Sequence, residues 1–194
     1  MKLGSRKLIS TALLFALLLT SFSCTNEFAK SASPVELIVT NTQEMQLLDT
    51  DPVAVNCDRN IGKVQIRALL KAPDNSIDQR FNDVRLTRYR VSYIRTDGGT
   101  LVPAPFVRTI DTLVTAGGGP SDLTGFAAFQ AEAFNQAPFV ALRTENGGRD
   151  PETGRTRIRM DLVLELFGET LAGSNVSGRT SLSLDFCFRC GGCV

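Results

Sequence analysis

Five cysteines and no histidine set the chemical repertoire of this chain. Three of the cysteines lie in a C-x2-C-x2-C run, Cys187-Phe188-Arg189-Cys190-Gly191-Gly192-Cys193, and Cys57 stands far upstream. Four sulfurs in two places permit three disulfide connectivities. A bridge from Cys57 to one of the terminal three closes a loop of more than 100 residues. In the chain-entropy model such a loop contributes up to about 4–5 kcal/mol. The remaining two thiols would pair within the tail, where Gly191-Gly192 supplies flexibility. The same four residues, Cys57, Cys187, Cys190 and Cys193, also match the thiolate set of a tetrahedral zinc site or an iron–sulfur cluster. A C-x-x-C redox centre is the third possibility, but such a centre normally opens a helix in a βαβ unit, whereas this one ends a predicted strand.

The missing histidine removes Ser-His and Cys-His nucleophile pairs, imidazole metal ligands and the usual general base near neutral pH. No pair of carboxylates declares itself in their place, so the reading is a protein without catalysis and without a cofactor. Asp49, Asp51, Asn56, Asp58 and Asn60 crowd around Cys57, but their spacing does not fit an EF-hand and no Gly-plus-Glu frame follows. Ordinary turn chemistry accounts for them. Arg88, Arg90, Arg155, Arg157, Arg159 and Arg179 fall on predicted outward faces, a pattern that attracts lipid headgroups or an anionic polymer. Asp161, Glu165 and Asp185 are interspersed among them, which reads as a mixed solvated face. Overall, 21 Lys and Arg against 20 Asp and Glu give a formal charge of +1, with no basic excess to argue for nucleic acid.

The elements that position these residues are strands. VELIVT (35–40) reads as the first. Val64, Ile66, Ala68 and Leu70 share one face, opposite Lys63, Gln65, Arg67 and Lys71. Tyr89, Val91 and Tyr93 alternate with Arg88, Arg90 and Ser92, and Asp97-Gly98-Gly99 supplies a turn. Pro103 and Pro105 mark 101–105 as an edge segment. FVRTIDTLVT (106–115) is another strand. Residues 121–144 support a short helix capped by Ser121 or a strand over 126–133 equally well, with Gly125 against the helix. Ile158, Met160, Leu162, Leu164 and Leu166 point one way along a clear strand. In the last one Leu182, Leu184, Phe186 and Phe188 point inward, with Ser181, Ser183, Asp185 and Cys187 outward. About seven short alternating strands predict an all-β antiparallel β-sandwich of immunoglobulin-like topology, with a small β-barrel as the alternative. The Cys-Trp-Cys signature of true immunoglobulin domains is missing.

The N-terminus decides where this domain works. Lys2, Arg6 and Lys7 precede an uncharged apolar run, Leu8 to Leu19, which is too short for a comfortable bilayer span. Ser21 and Ser23 then lead to Cys24. This arrangement resembles bacterial lipoprotein precursors, whose lipobox is cut just before a cysteine. It departs from the lipobox at Ser21, where leucine is preferred, and at Phe22, where a small residue is. Ser5-Arg6-Lys7 lacks the second arginine of a twin-arginine signal. The resemblance implies a signal peptide over 1–23 and a diacylglycerol on the Cys24 thiol, usually with an acylated amino group. Two or more chains anchor stably where one does not. In such precursors Asp after the cysteine often signals inner-membrane retention, so with Thr25 there the resemblance implies the outer membrane over the inner. Cleavage removes three positive charges and no acid, moving the balance to −2. TNEFAKSASP (25–34) then reads as a tether with an end-to-end distance of roughly 15–20 Å, and 35–194 as one domain with a cysteine-rich tail.

An exported chain meets an oxidising compartment, which favours disulfides over thiolate–metal chemistry. The sequence therefore predicts an envelope lipoprotein with a non-catalytic binding or structural role. Its partners would be the bilayer, through acylated Cys24, and an envelope protein or surface polymer. A metal-binding or thiol-redox protein using the terminal thiols with Cys57 is the alternative.

Overall fold

Alternation writes the two longest strands, β7 (Arg157–Thr170) and β8 (Asn175–Cys187), which pair antiparallel from Arg157↔Cys187 to Glu169↔Asn175. The computed structural model describes residues 33–43, 45–51, 63–72 and 79–190, so Cys24, Cys57 and Cys193 lie outside the described residues. Among those described, six further strands precede the pair: β1 (Val35–Asn41), β2 (Gln46–Asp49), β3 (Lys63–Leu70), β4 (Val84–Arg95), β5 (Phe106–Val114) and β6 (Ser121–Thr124). They form two sheets, β1-β3-β6 and β2-β8-β7-β4-β5.

The fold is an all-β sandwich, and its strand order is the immunoglobulin one. β1, β3 and β6 take the places of strands A, B and E, and β8-β7-β4-β5 those of G, F, C and C′. β2 is the continuation of the first strand on the opposite sheet, and its pairing with β8 is parallel, the one exception to the expected antiparallel pattern among these ladders. The connection of residues 115–120 is too short to carry a separate strand between β5 and β6.

The predicted inward faces are the core. Val64, Ile66 and Ala68, then Tyr89, Val91 and Tyr93, then Ile158 to Leu166, and Leu182, Leu184 and Phe186 are all buried, while Leu70 and Phe188 are partly so. The sheets approach most closely where β1 crosses β8. A Cβ on Gly178 would stand 2.5 Å from the Leu37 carbonyl oxygen and 2.8 Å from Val39 Cγ2. Gly168 fills the same need within the sheet, where a Cβ would strike the Arg85 carbonyl oxygen beside a register shift in β4.

Residues 121–144 are neither the helix nor the strand over 126–133. Ser121 opens the short β6 rather than a cap, and Gly125 leaves it with φ 71°. Beyond it the chain runs without regular structure to 3-10 turns at Ala131–Asn135, Phe139–Leu142 and Thr144–Asn146. Packing decides this segment. Phe126, Phe129, Phe134 and Phe139 are all buried, and Phe139 lies 4.6 Å from Phe186 between ring centroids. Two core tyrosines hold it: the Tyr93 hydroxyl donates to the Ala128 carbonyl at 2.6 Å, and the Ala127 amide donates to the Tyr89 hydroxyl at 3.1 Å. Burial, with Tyr89 nearby, pushes the Tyr93 phenol far above its ordinary pKa and keeps it a donor. The 101–105 segment is loop, and its prolines precede the true edge strand, β5.

Candidate functional site

One end of the sandwich collects the start of β7, the end of β4 and the end of β8, because Arg95 pairs with Met160 and Arg157 with Cys187. Two long loops, 96–105 and 143–156, leave the sheets there. Their meeting point is a guanidinium. Arg95 continues the inward phase of Tyr89, Val91 and Tyr93, so its side chain enters the end of the core, and only 1% of it is exposed. Asp97, 1% exposed, receives Arg95 Nε at 2.7 Å and Nη2 at 2.9 Å. Asp150, fully buried, receives Nη2 at 2.7 Å. Glu152 lies 3.6 Å from Nη1, which also donates to the Leu101 carbonyl at 3.2 Å. Gly99 is required here, since a Cβ would stand 2.5 Å from the Arg95 guanidinium carbon.

The acids also tie down the loops. Asp97 accepts the Gly99 and Arg159 amides, Asp150 accepts the amide and hydroxyl of Thr153, and Glu152 accepts the amides of Thr100 and Leu101 and the Thr100 hydroxyl. Burial alone would raise the Asp97 carboxyl. The Arg95 hydrogen bonds and charge, with the two amides, outweigh it and bring the pKa to about 2. For Asp150, burial again raises, and Thr153 and Arg95 together lower further. Glu152 is lowered by Thr100 first, then by the Leu101 and Thr100 amides.

Outside this cluster lies an open groove of about 420 Å³ lined by Asp97, Arg155, Thr156, Arg157 and Arg159. Arg157 and Arg159 project from alternate positions of β7, both about half exposed, and Arg155 continues the row into the loop. Behind them Asp185 holds Arg157 Nη1 at 3.4 Å and Arg159 Nε at 3.5 Å through Oδ2. Strand alternation places Asp185 outward, in solvent. It is buried instead, because the two arginine side chains lie across it.

Cys187 carries a similar correction. Its phase is outward, yet it is 3% exposed, because the chain turns back and Cys190 forms a disulfide with it, Cα to Cα 5.9 Å. The turn uses Arg189 at φ 51°, and the parallel strand β2 supports it. Asp49 accepts the amides of Arg189 and Cys190 at 2.9 and 3.0 Å, and Arg189 Nε donates to Asp51 at 3.0 Å. Two of the four sulfurs named for a zinc or iron–sulfur site are thus joined to each other. Among the described residues no group of three or more Cys, Asp or Glu side chains is arranged to hold a metal ion.

The six arginines singled out by the sequence are all exposed, but the structure separates them. Arg155, Arg157 and Arg159 share the groove. Arg90 pairs with Glu165 at 2.7 Å, and Arg88 lies over the Phe167 ring at 5.0 Å, further up the outer sheet face. Arg95, Asp97, Asp150 and Glu152 escaped the sequence reading as a group. The available signal was an arginine in core phase at position 95, which demands buried acids. Comparison with protein-family models, with curated proteins and with solved structures yields no match.

Proposed function

We propose that this chain is a lipid-anchored envelope protein whose β-sandwich acts by binding, without catalysis of its own. The Cys24 motif supports the anchor. The observation that carries the binding role is the Arg95 cluster. The acids around Arg95 are engaged in fixing two loops, and carboxyls whose pKa values are depressed make poor general acids near neutrality. Their effect is to hold one end of the domain as a rigid surface, as binding proteins do with loops on a sandwich.

Fractionation of cells producing the wild-type chain and Cys24→Ser tests the anchor. The wild type should stay with the outer membrane through a high-salt wash and leave it in detergent, and Cys24→Ser should be soluble. A wild-type chain that washes off in salt would sink the proposal.

A thiol–disulfide role is the second reading, favoured by the closed C-x-x-C pair of Cys187 and Cys190. Burial of Cys187 weighs against it, since attack on a disulfide needs access to sulfur.

A further inference from the structure

The chain enters its folded domain at an end of the sandwich that carries two exposed, bulky apolar side chains. β1 begins at Val35, opposite Leu70 at the end of β3, and the Pro34 carbonyl accepts the Lys71 amide. Two residues back, Ala68 bridges to Ala116, whose amide donates to the carboxylate of Asp83, just before β4. The Asp83 carbonyl accepts the Leu171 amide, and the Phe81 carbonyl accepts the Ala172 amide, both at 2.9 Å. The start of β1, the approach to β4 and the β7–β8 turn therefore share one end of the fold. Phe81 is 60% exposed there and Leu171 54%.

We propose that this tip, Phe81 with Leu171 and Ala172, rests in the surface of the bilayer that holds acylated Cys24, the proposal depending on the anchored reading given above. The turn is built of the wrong residues for water. The Gly173 amide donates to the Thr170 carbonyl at 2.8 Å and Gly173 takes φ 86°, so glycine supplies the geometry and nothing in the turn requires leucine. Turn positions facing water favour Asn, Asp, Ser, Gly or Pro. Here Leu171 and Ala172 stand exposed, and residues 171–174 carry no charge. The point of entry names the occupant. Ten residues, 25–34, separate Cys24 from Val35. A flexible segment of that length spans roughly 15–20 Å, which keeps the domain at high effective concentration over the lipid. Two apolar side chains that would not hold a free protein then suffice to set which end meets the surface. The exposed apolar residues of the other end have a different setting. Ile94 stands across from Asp161, and the Leu101 amide is held by the Glu152 carboxylate.

The chain contains no tryptophan, so a single introduced one reports only its own surroundings. Phe81→Trp, Leu171→Trp and Ile94→Trp would each be purified from membranes as the whole protein and reconstituted into phosphatidylcholine vesicles, with and without brominated acyl chains. All three replace exposed side chains, so the variants should melt as the wild type does. Emission from Phe81→Trp and Leu171→Trp should shift to the blue in vesicles and lose most of its intensity to bromine, with bromines near the headgroup quenching most. Ile94→Trp should emit as in water and stay unquenched. Tip variants that behave as Ile94→Trp does, whether all are quenched or none, overturn the proposal. Blue-shifted emission that bromine leaves unchanged, with a dimer mass in detergent, overturns it too and assigns the tip to a second copy of this chain. Flotation of the same vesicles reads the anchor separately. A chain that floats with unquenched tip tryptophans loses the tip and keeps the anchor. A chain that does not float loses the anchor, and quenching is then read with vesicles in large excess, where unquenched tip tryptophans overturn the tip as well.

Discussion

Arg95 is the residue on which the loop-bearing end of the molecule depends. Replacing it with methionine keeps the bulk of the side chain but leaves Asp97 and Asp150 buried without a counter-charge. Breaking such a pair from one side costs about 3–5 kcal/mol. Urea denaturation should therefore show Arg95→Met destabilised by that amount, with the loss confined to conditions in which the acids are ionised. The pH dependence has a defined direction. The folded Asp97 carboxyl titrates at about 2 against an ordinary 3.8, so its stabilisation is complete above pH 3.8 and disappears as pH falls through about 2. Wild-type stability should fall by roughly 2 kcal/mol across that window, and Arg95→Met should lose most of the slope. A variant that keeps both its stability and its slope would remove the cluster from the account. This residue was half legible: its phase followed from Tyr89, Val91 and Tyr93. Its partners did not, because Asp150 and Glu152 sit in a loop more than fifty residues on, and nothing local ties them to strand β4.

Strands were legible wherever one face is buried and the other wet, as in β3, β4, β7 and β8. They were not where packing overrides local preference. β2 is four residues without alternation, fixed by its ladder with β8 and by the Asp49 contacts to the turn at Arg189. The 121–144 segment carries its phenylalanines at neither helical nor strand period, since its path follows the cavity it fills. Cys187 and Asp185 obey the outward phase in sequence but are covered by groups from the turn and from β7, which no single-strand pattern contains. The close crossing of β1 over β8 gives the prediction at this scale. Gly178→Ala drives a methyl against the Leu37 carbonyl and Val39, so the sheets must separate or β8 must shift. The expected cost is about 1–3 kcal/mol, seen as a lower urea midpoint. An unchanged midpoint would mean the two sheets do not meet at that crossing.

At the scale of the domain, the start of β1 and the loop-bearing end that holds Arg95 lie toward opposite ends of β8. Asp51 and Arg189, the one six residues before Cys57 and the other four before Cys193 in sequence, are held together by an ion pair. With Cys187 paired to Cys190, the account expects Cys57 to pair with Cys193, an expectation on residues outside the described structure. The most direct measurement is intact and peptide mass spectrometry of the protein purified from membranes without reductant, after thiol alkylation. The account predicts a mature chain beginning at acylated Cys24, linked peptides for Cys187–Cys190 and Cys57–Cys193, and no alkylated cysteine. An unacylated Cys24, or four alkylated thiols released from bound zinc or iron, would contradict it and make the terminal cysteines the functional site.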